Sequence, residues 1–455
     1  MRTVHAILFF LFINAFSVVY CQYTIEGQVP QAVDKEIVLR GFNFEGNNQL
    51  AKAKTDAQGK FNMVYSSGYV GAALLEIKDM KSIIVLLNKE NFEMKWGNLD
   101  DFSSLTFINS PENSNLSIGL TLYQTIEAKK SGLTYLIPLY AEKPSHKQYF
   151  EKELKYQDQA FPVFLASLPK DSYAAYYIQL RKLISDMPMT VSKYVERFPE
   201  NEKQFTTIDF GGEKMVHSGL YKDLFEGYVQ FMESFGGGDM DKLYAHLNAG
   251  IDAVLKSMKD KPELLQDMSQ YLFNLLEKRS LFPAAEHLAL AMLDDSSCQL
   301  DEKHQALFEQ YRKMAIGKTA PDIVFSKEVK GYAKLSDIKS KYKLVVFGAS
   351  WCNKCTEELP KLKPYYENWK KTDDLEVVFI SLDQDEMVFS NFIIDFPWVS
   401  SCDYKSWEGQ AVKDYCVFAT PTMYLLGNNQ KVVAKPVSAE HLESILQMYR
   451  GSESK

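Results

Sequence analysis

Apolar and polar positions follow three successive patterns along the chain. Between residues 22 and 114 the apolar residues come in short runs divided by turn signals. Ile37-Val38-Leu39 is one such run, and Asp56-Ala57-Gln58-Gly59 reads as a turn feeding Phe61-Asn62-Met63-Val64. Phe92-Glu93-Met94-Lys95-Trp96 alternates strictly, as a half-buried strand does. Short strands at close spacing predict a small all-β sandwich. Ser110-Pro111-Glu112-Asn113-Ser114 interrupts the pattern and marks a predicted boundary.

From 115 to 315 the period becomes helical. Leu220, Leu224, Tyr228, Phe231 and Phe235 recur at three and four, as do Ile251, Val254, Leu255 and Met258, and then Leu264, Met268, Tyr271 and Leu275. Gly236-Gly237-Gly238 separates two of these helices. No repeat period indicates a solenoid, and a central all-α region of this kind reads as a spacer or docking domain. From 316 to 455 strand and helix patterns alternate, which predicts an α/β domain with its sheet covered on both faces. Lys343-Leu344-Val345-Val346-Phe347 is a buried strand; a helix over 353–371 carries Leu359, Leu362, Tyr366 and Trp369 inward; a second strand covers 375–380. Met423-Tyr424-Leu425-Leu426 and Lys431-Val432-Val433 flank Gly427-Asn428-Asn429 as an antiparallel hairpin, and 441–449 closes as a helix. At roughly 150 residues per domain the length suits this multidomain division.

Composition narrows the function. The 455 residues are 46% apolar and 24% charged, which excludes wholesale disorder. Lys and Arg total 51 against 59 Asp and Glu, a net charge of −8 that argues against nucleic acid as a partner. At the start, Arg2 precedes an apolar run over 6–19, too short to span a bilayer but suited to the core of a signal peptide over 1–21. Val19-Tyr20-Cys21 places a small residue at the cleavage position and leaves Gln22 as the new N-terminus. A lipid anchor on Cys21 is the alternative, although the bulky Tyr20 departs from the small residue that such signals prefer. No later run reaches about 18 apolar residues, so an exported protein without a membrane span is expected.

Six cysteines, at 21, 298, 352, 355, 402 and 416, are too sparse for a disulfide framework. Chemistry concentrates in Trp351-Cys352-Asn353-Lys354-Cys355, where a buried strand hands over to a helix. Unpaired N–H groups and the positive end of the dipole at a helix start favour thiolate over thiol. Two intervening residues put both sulfurs on one turn, where a bond can close and reopen. Cys352, the outer residue, is expected to be the nucleophile and Cys355 the buried resolving thiol; Lys354 adds a screened positive charge. A zinc site would want a second close ligand pair, which Cys402 and Cys416 do not supply, so neither metal nor cofactor is expected. A structural disulfide over so short a loop would constrain little of the unfolded chain. Cys416 reads as a small buried hydrophobe and Cys402 as part of a polar turn; whether they pair is left open. Trp398 and Trp407 suit core packing better than a frame for the active surface.

Gly317-Lys318-Thr319-Ala320-Pro321-Asp322, Leu335-Ser336-Asp337, Val345 through Cys352 and Thr420-Pro421-Thr422 stand in an order that resembles thioredoxin-fold proteins of the TlpA/ResA kind, related in their opening segment to AhpC/TSA peroxiredoxins. The resemblance covers about the last 140 residues; the β and helical portions are similar, more weakly, to accessory regions of Gram-negative periplasmic proteins. It implies a periplasmic thiol-disulfide oxidoreductase acting on protein disulfide or dithiol substrates, with an upstream redox partner. Reductive work such as cytochrome c maturation or protein repair would fit. It implies that Pro421 is cis and packs against the Cys pair, leaving the backbone of Thr420 to pair with an extended substrate. It also implies a proton relay at Glu358, three residues beyond Cys355, against which stands a solvated surface carboxylate beside Glu357. Val346 replaces the buried Asp of ordinary thioredoxin, and Pro360 fits a helix kink. Two other readings compete. A peroxiredoxin would need a Thr where the chain has Ala349, and a scaffold or binding protein would hold the redox domain only as an accessory.

Overall fold

The structure is a computed structural model that describes residues 22–44, 46–66, 68–236, 239–294 and 300–453. The expected signal peptide with its Cys21 alternative, Gly237, Gly238 and Cys298 lie outside the described residues.

Eight strands come first: β1 (Gln22–Gln28), β2 (Glu36–Phe42), β3 (Asn47–Lys54), β4 (Lys60–Ser66), β5 (Gly71–Ile77), β6 (Ser82–Leu87), β7 (Phe92–Trp96) and β8 (Leu105–Ile108). They form two four-stranded sheets, ordered β4-β1-β7-β8 and β3-β2-β5-β6. Strict alternation is why they pack as a sandwich. In β4, Phe61, Met63 and Tyr65 turn inward while their neighbours face solvent. They meet Ile37, Leu39, Leu75 and Val85 of the other sheet in one core, with Trp96 fully buried among them. Gly59 takes the marked turn with φ of +71°, where an added Cβ would strike the Val29 carbonyl oxygen.

Ten α-helices follow among the described residues: α1 (Pro111–Leu139), α2 (Pro144–Ser167), α3 (Tyr173–Lys193), α4 (Phe198–Thr206), α5 (Glu213–Val216), α6 (Tyr221–Gly236), α7 (Met240–Met258), α8 (Pro262–Lys278), α9 (Phe282–Asp294) and α10 (Glu302–Lys313). The segment that interrupts the strand pattern is itself the start of α1. Ser110 accepts a hydrogen bond from the Asn113 N–H and Pro111 fills the first turn, both ordinary helix-start signals. Contacts divide the chain into two compact units: the sandwich with the helices up to Thr190 and Asp209–Leu224, and Val191–Ile208 with everything from Phe225 onward.

The second unit ends in an α/β domain. Its elements are β9 (Val324–Val329), β10 (Tyr332–Lys334), β11 (Tyr342–Gly348), α11 (Asn353–Thr372), β12 (Leu375–Ser381), α12 (Glu386–Phe392), β13 (Val399–Cys402), α13 (Gln410–Asp414), β14 (Thr422–Leu426), β15 (Val432–Ala434) and α14 (Ala439–Glu453). The five-stranded sheet runs β13-β12-β11-β14-β15. β11 and β12 pair in parallel, as do β12 and β13, while β14 and β15 add antiparallel. Central β11 is apolar and buried along nearly its whole length, as a strand covered on both faces must be, and Val346 is fully buried in it. Pro360 and Pro364 both lie inside α11, whose Leu359, Leu362, Tyr366 and Trp369 fill one side of the core. Among the described residues no helix is long and apolar enough to cross a membrane.

Candidate active site

β11 ends at Gly348, three residues turn the chain, and Cys352 takes an extended conformation as the N-cap of α11. The Cys355 N–H donates to the Cys352 Sγ at 3.1 Å. The two cysteines are joined as a disulfide, their Cα atoms 5.2 Å apart. Cys352 keeps 8% of its surface exposed and Cys355 none. Cys355 is packed against the end of the central strand, since a Cβ built on Gly348 would stand 3.2 Å from its Sγ.

The peptide between Thr420 and Pro421 is cis. The Thr420 carbonyl oxygen lies 3.4 Å from the Cys352 Sγ, so a loop nearly seventy positions away forms the second side of the site. Trp351, Asn353 and Lys354 are exposed on the helix-start surface. Trp407 does not take the core position expected of it: it is exposed beside Trp351, with ring centroids 6.3 Å apart, and frames the helix-start surface. Trp398, by contrast, is buried against Tyr366 and Phe396 in the core. The two tryptophans thus part ways, because Trp407 sits in the turn before α13 and Trp398 leads directly into buried β13.

Glu358 is not a solvated carboxylate. It is 4% exposed on the face of α11 that carries Cys355. Its Oε1 accepts from the Lys361 ammonium at 2.7 Å, and its Oε2 is buried without a hydrogen-bond partner. A second buried carboxylate went unnoticed in the sequence. Asp383, just past β12, accepts from the Ser350 hydroxyl at 2.7 Å, from the Ser350 N–H at 3.2 Å and from the Ser381 hydroxyl at 2.7 Å. It pins the turn that delivers Cys352 to the helix. Its position beyond the carboxyl end of a central parallel strand was the available signal.

Cys402 and Cys416 are free thiols. Cys402 is not in a polar turn. It is the buried last residue of β13, held there by its parallel pairing with Ser381. Burial pushes both thiols up, away from the thiolate. Among the described residues no three His, Cys, Asp or Glu side chains are placed to hold a metal ion.

Comparison with known proteins agrees with this geometry. A family described as thioredoxin-like matches residues 340–432. The chain is similar to the thiol-disulfide oxidoreductase ResA of Bacillus cereus, 27% identical over 148 residues, covering 32% of this chain and 83% of the relative. ResA of Bacillus subtilis is 27% identical over 150 residues, covering 32% and 80%. Among solved structures, a domain of a possible thiol-disulfide isomerase from Cytophaga hutchinsonii is 26% identical, covering 31% of this chain and 97% of its own, with a TM-score of 0.28. The C-terminal region is a thioredoxin-like domain, and the chain is a thiol-disulfide oxidoreductase of the thioredoxin-like kind.

Proposed function

We propose that the Cys352–Cys355 pair exchanges disulfides with protein substrates outside the cytoplasm. The observation that carries this reading is the capping geometry, in which the Cys352 Sγ receives the Cys355 N–H at the start of a twenty-residue helix. Once the pair is reduced, that N–H and the helix dipole favour the Cys352 thiolate. The thiolate attacks one sulfur of a substrate disulfide and expels the other as a thiolate. Cys355 then attacks the Cys352 Sγ of the mixed disulfide and releases the second substrate thiol. Two electrons pass to the substrate, the Cys352–Cys355 bond reforms, and an upstream dithiol partner returns the pair to its reduced form.

The supporting residues take roles their positions suit. Glu358, buried on the Cys355 face, accepts the Cys355 proton through its unpartnered oxygen. Thr420 and Pro421 offer backbone to an extended substrate beside the nucleophile, while Trp351, Asn353 and Lys354 form the surface it meets. Export rests on Arg2 and the apolar run over 6–19, ending either in cleavage before Gln22 or in a lipid anchor at Cys21. Exported reductive work, including cytochrome c maturation, fits this set. In the Cys355→Ala protein a covalent adduct with a disulfide substrate should accumulate on Cys352, visible as a mass shift that dithiothreitol reverses. If no adduct forms, or if it forms on Cys402 or Cys416, the mechanism is wrong.

A further inference from the structure

A groove of about 560 Å³ opens beside Thr420 and Pro421. One side is the loop from Phe418 into β14, and the other is helical. Phe282 opens α9, Tyr311 lies near the end of α10, and Met314 follows it. The helices are fastened to the redox domain at this place. The Tyr311 ring stacks on Phe418 with centroids 5.5 Å apart, and its hydroxyl donates to Glu277 at 2.6 Å. Lys435, just past β15, forms a largely buried ion pair with Glu286 of α9. All of these residues belong to the second compact unit. The helical segment is therefore a wall of the redox site and not a remote spacer.

Two features say what the groove accepts. The N–H groups of Phe418, Ala419 and Thr420 make no hydrogen bond among the described residues, and this loop is only partly buried. A row of free donors leading into a strand is suited to the carbonyls of an extended polypeptide. Beyond Phe418 a second depression of about 710 Å³ continues the groove and carries exposed Lys313 and Lys318. Lys354 stands in the first groove near the cysteine pair. On a chain of net charge −8 this is a local excess of cations, complementary to carboxylates.

We propose that α9 and α10 make the groove selective for extended polypeptide whose cysteine is flanked by an apolar residue and then an acidic one. The apolar side chain lies against Phe282 and Tyr311, and the carboxylate reaches Lys313 and Lys318. This rests on the oxidoreductase reading above and adds the substrate class to it.

The test measures the second-order rate constant with which the pre-reduced full-length protein, in a single turnover, reduces four disulfides. Three are dimers of one short peptide with Leu-Glu, Leu-Lys or Gly-Ser beside the cysteine, and the fourth is glutathione disulfide. Leu-Glu should exceed Gly-Ser by about tenfold or more, the scale set by burying one large apolar side chain. The Leu-Glu over Leu-Lys preference should fade with added salt. Phe282→Ser should lower the rate on both Leu peptides about tenfold relative to its own rate on the Gly-Ser peptide, again from lost burial. A circular dichroism spectrum and a thermal midpoint matching the wild type show that the variant is folded. The double exchange Lys313→Glu with Lys318→Glu, at exposed positions, should reverse the Glu-over-Lys preference. Peptide rates within twofold of one another, or unmoved by both variants while glutathione disulfide is turned over, would overturn the proposal. If the wild type reduces none of the four, the oxidoreductase reading falls and this one with it.

Discussion

Cys352 differs from Cys402 and Cys416 in what its sulfur meets: a helix-start N–H at 3.1 Å in one case, and in the others burial that disfavours charge, which at Cys402 outweighs the Tyr404 N–H at 3.4 Å. Glu358 shows the opposite economy. It keeps a carboxylate oxygen buried and unpartnered on the Cys355 face, an arrangement that stability alone does not explain. Glu358→Gln should therefore leave the thermal midpoint unchanged, because the Lys361 contact is half exposed and weak. The same change should slow resolution of the mixed disulfide at Cys355 by at least about tenfold, below the usual span for a lost acid–base group. Stopped-flow measurement of adduct decay would check it, and an unchanged rate would make Glu358 a bystander. The Cys pair and Thr420-Pro421 were legible at this scale because each is a local motif. Asp383 was not, and Trp407 was named but assigned to the core, since both positions are set only when β12 and the turn before α13 are brought to the same surface.

At the scale of elements, the junction between sandwich and helices has a titrating member. Glu90 lies between β6 and β7, accepts the Ser110 hydroxyl at the start of α1, and has its carboxyl raised to about 7 by burial, with the charge of Glu112 adding to the effect. A carboxyl raised in the folded state binds its proton more tightly there than in the unfolded chain. Its contribution to stability is full below pH 4.5 and is lost as pH rises through about 7. The urea midpoint of the sandwich-containing unit should accordingly fall between pH 5 and pH 8 by more in the wild type than in Glu90→Gln. Equal falls would remove the group from the ledger. This junction was half legible. Ser110-Pro111 broke the strand pattern visibly, but the break was a helix start, and only the cap hydrogen bond distinguishes a start from a linker.

Over the whole molecule, the order all-β, all-α, α/β could be read from the change of hydrophobic period, because that period records which face each element buries. What a period does not record is the partner each face meets. The helical stretch read as one block, yet Val191–Ile208 and the residues from Phe225 onward pack into the unit that holds the redox domain. Likewise nothing local places Phe282 and Tyr311 beside Pro421, which depends on packing between elements more than a hundred positions apart. The proposed chemistry reduces to one thiol at the start of α11. The most direct test is the rate at which the fully reduced protein reacts with iodoacetamide as a function of pH, with the modified cysteine identified by mass. Reaction should occur at Cys352, with half its maximal rate reached clearly below the value of about 8.5 for a free cysteine, while Cys355 stays unmodified in the folded protein. A half-maximum at or above that value, or modification of Cys355 as fast as Cys352, would contradict the assignment.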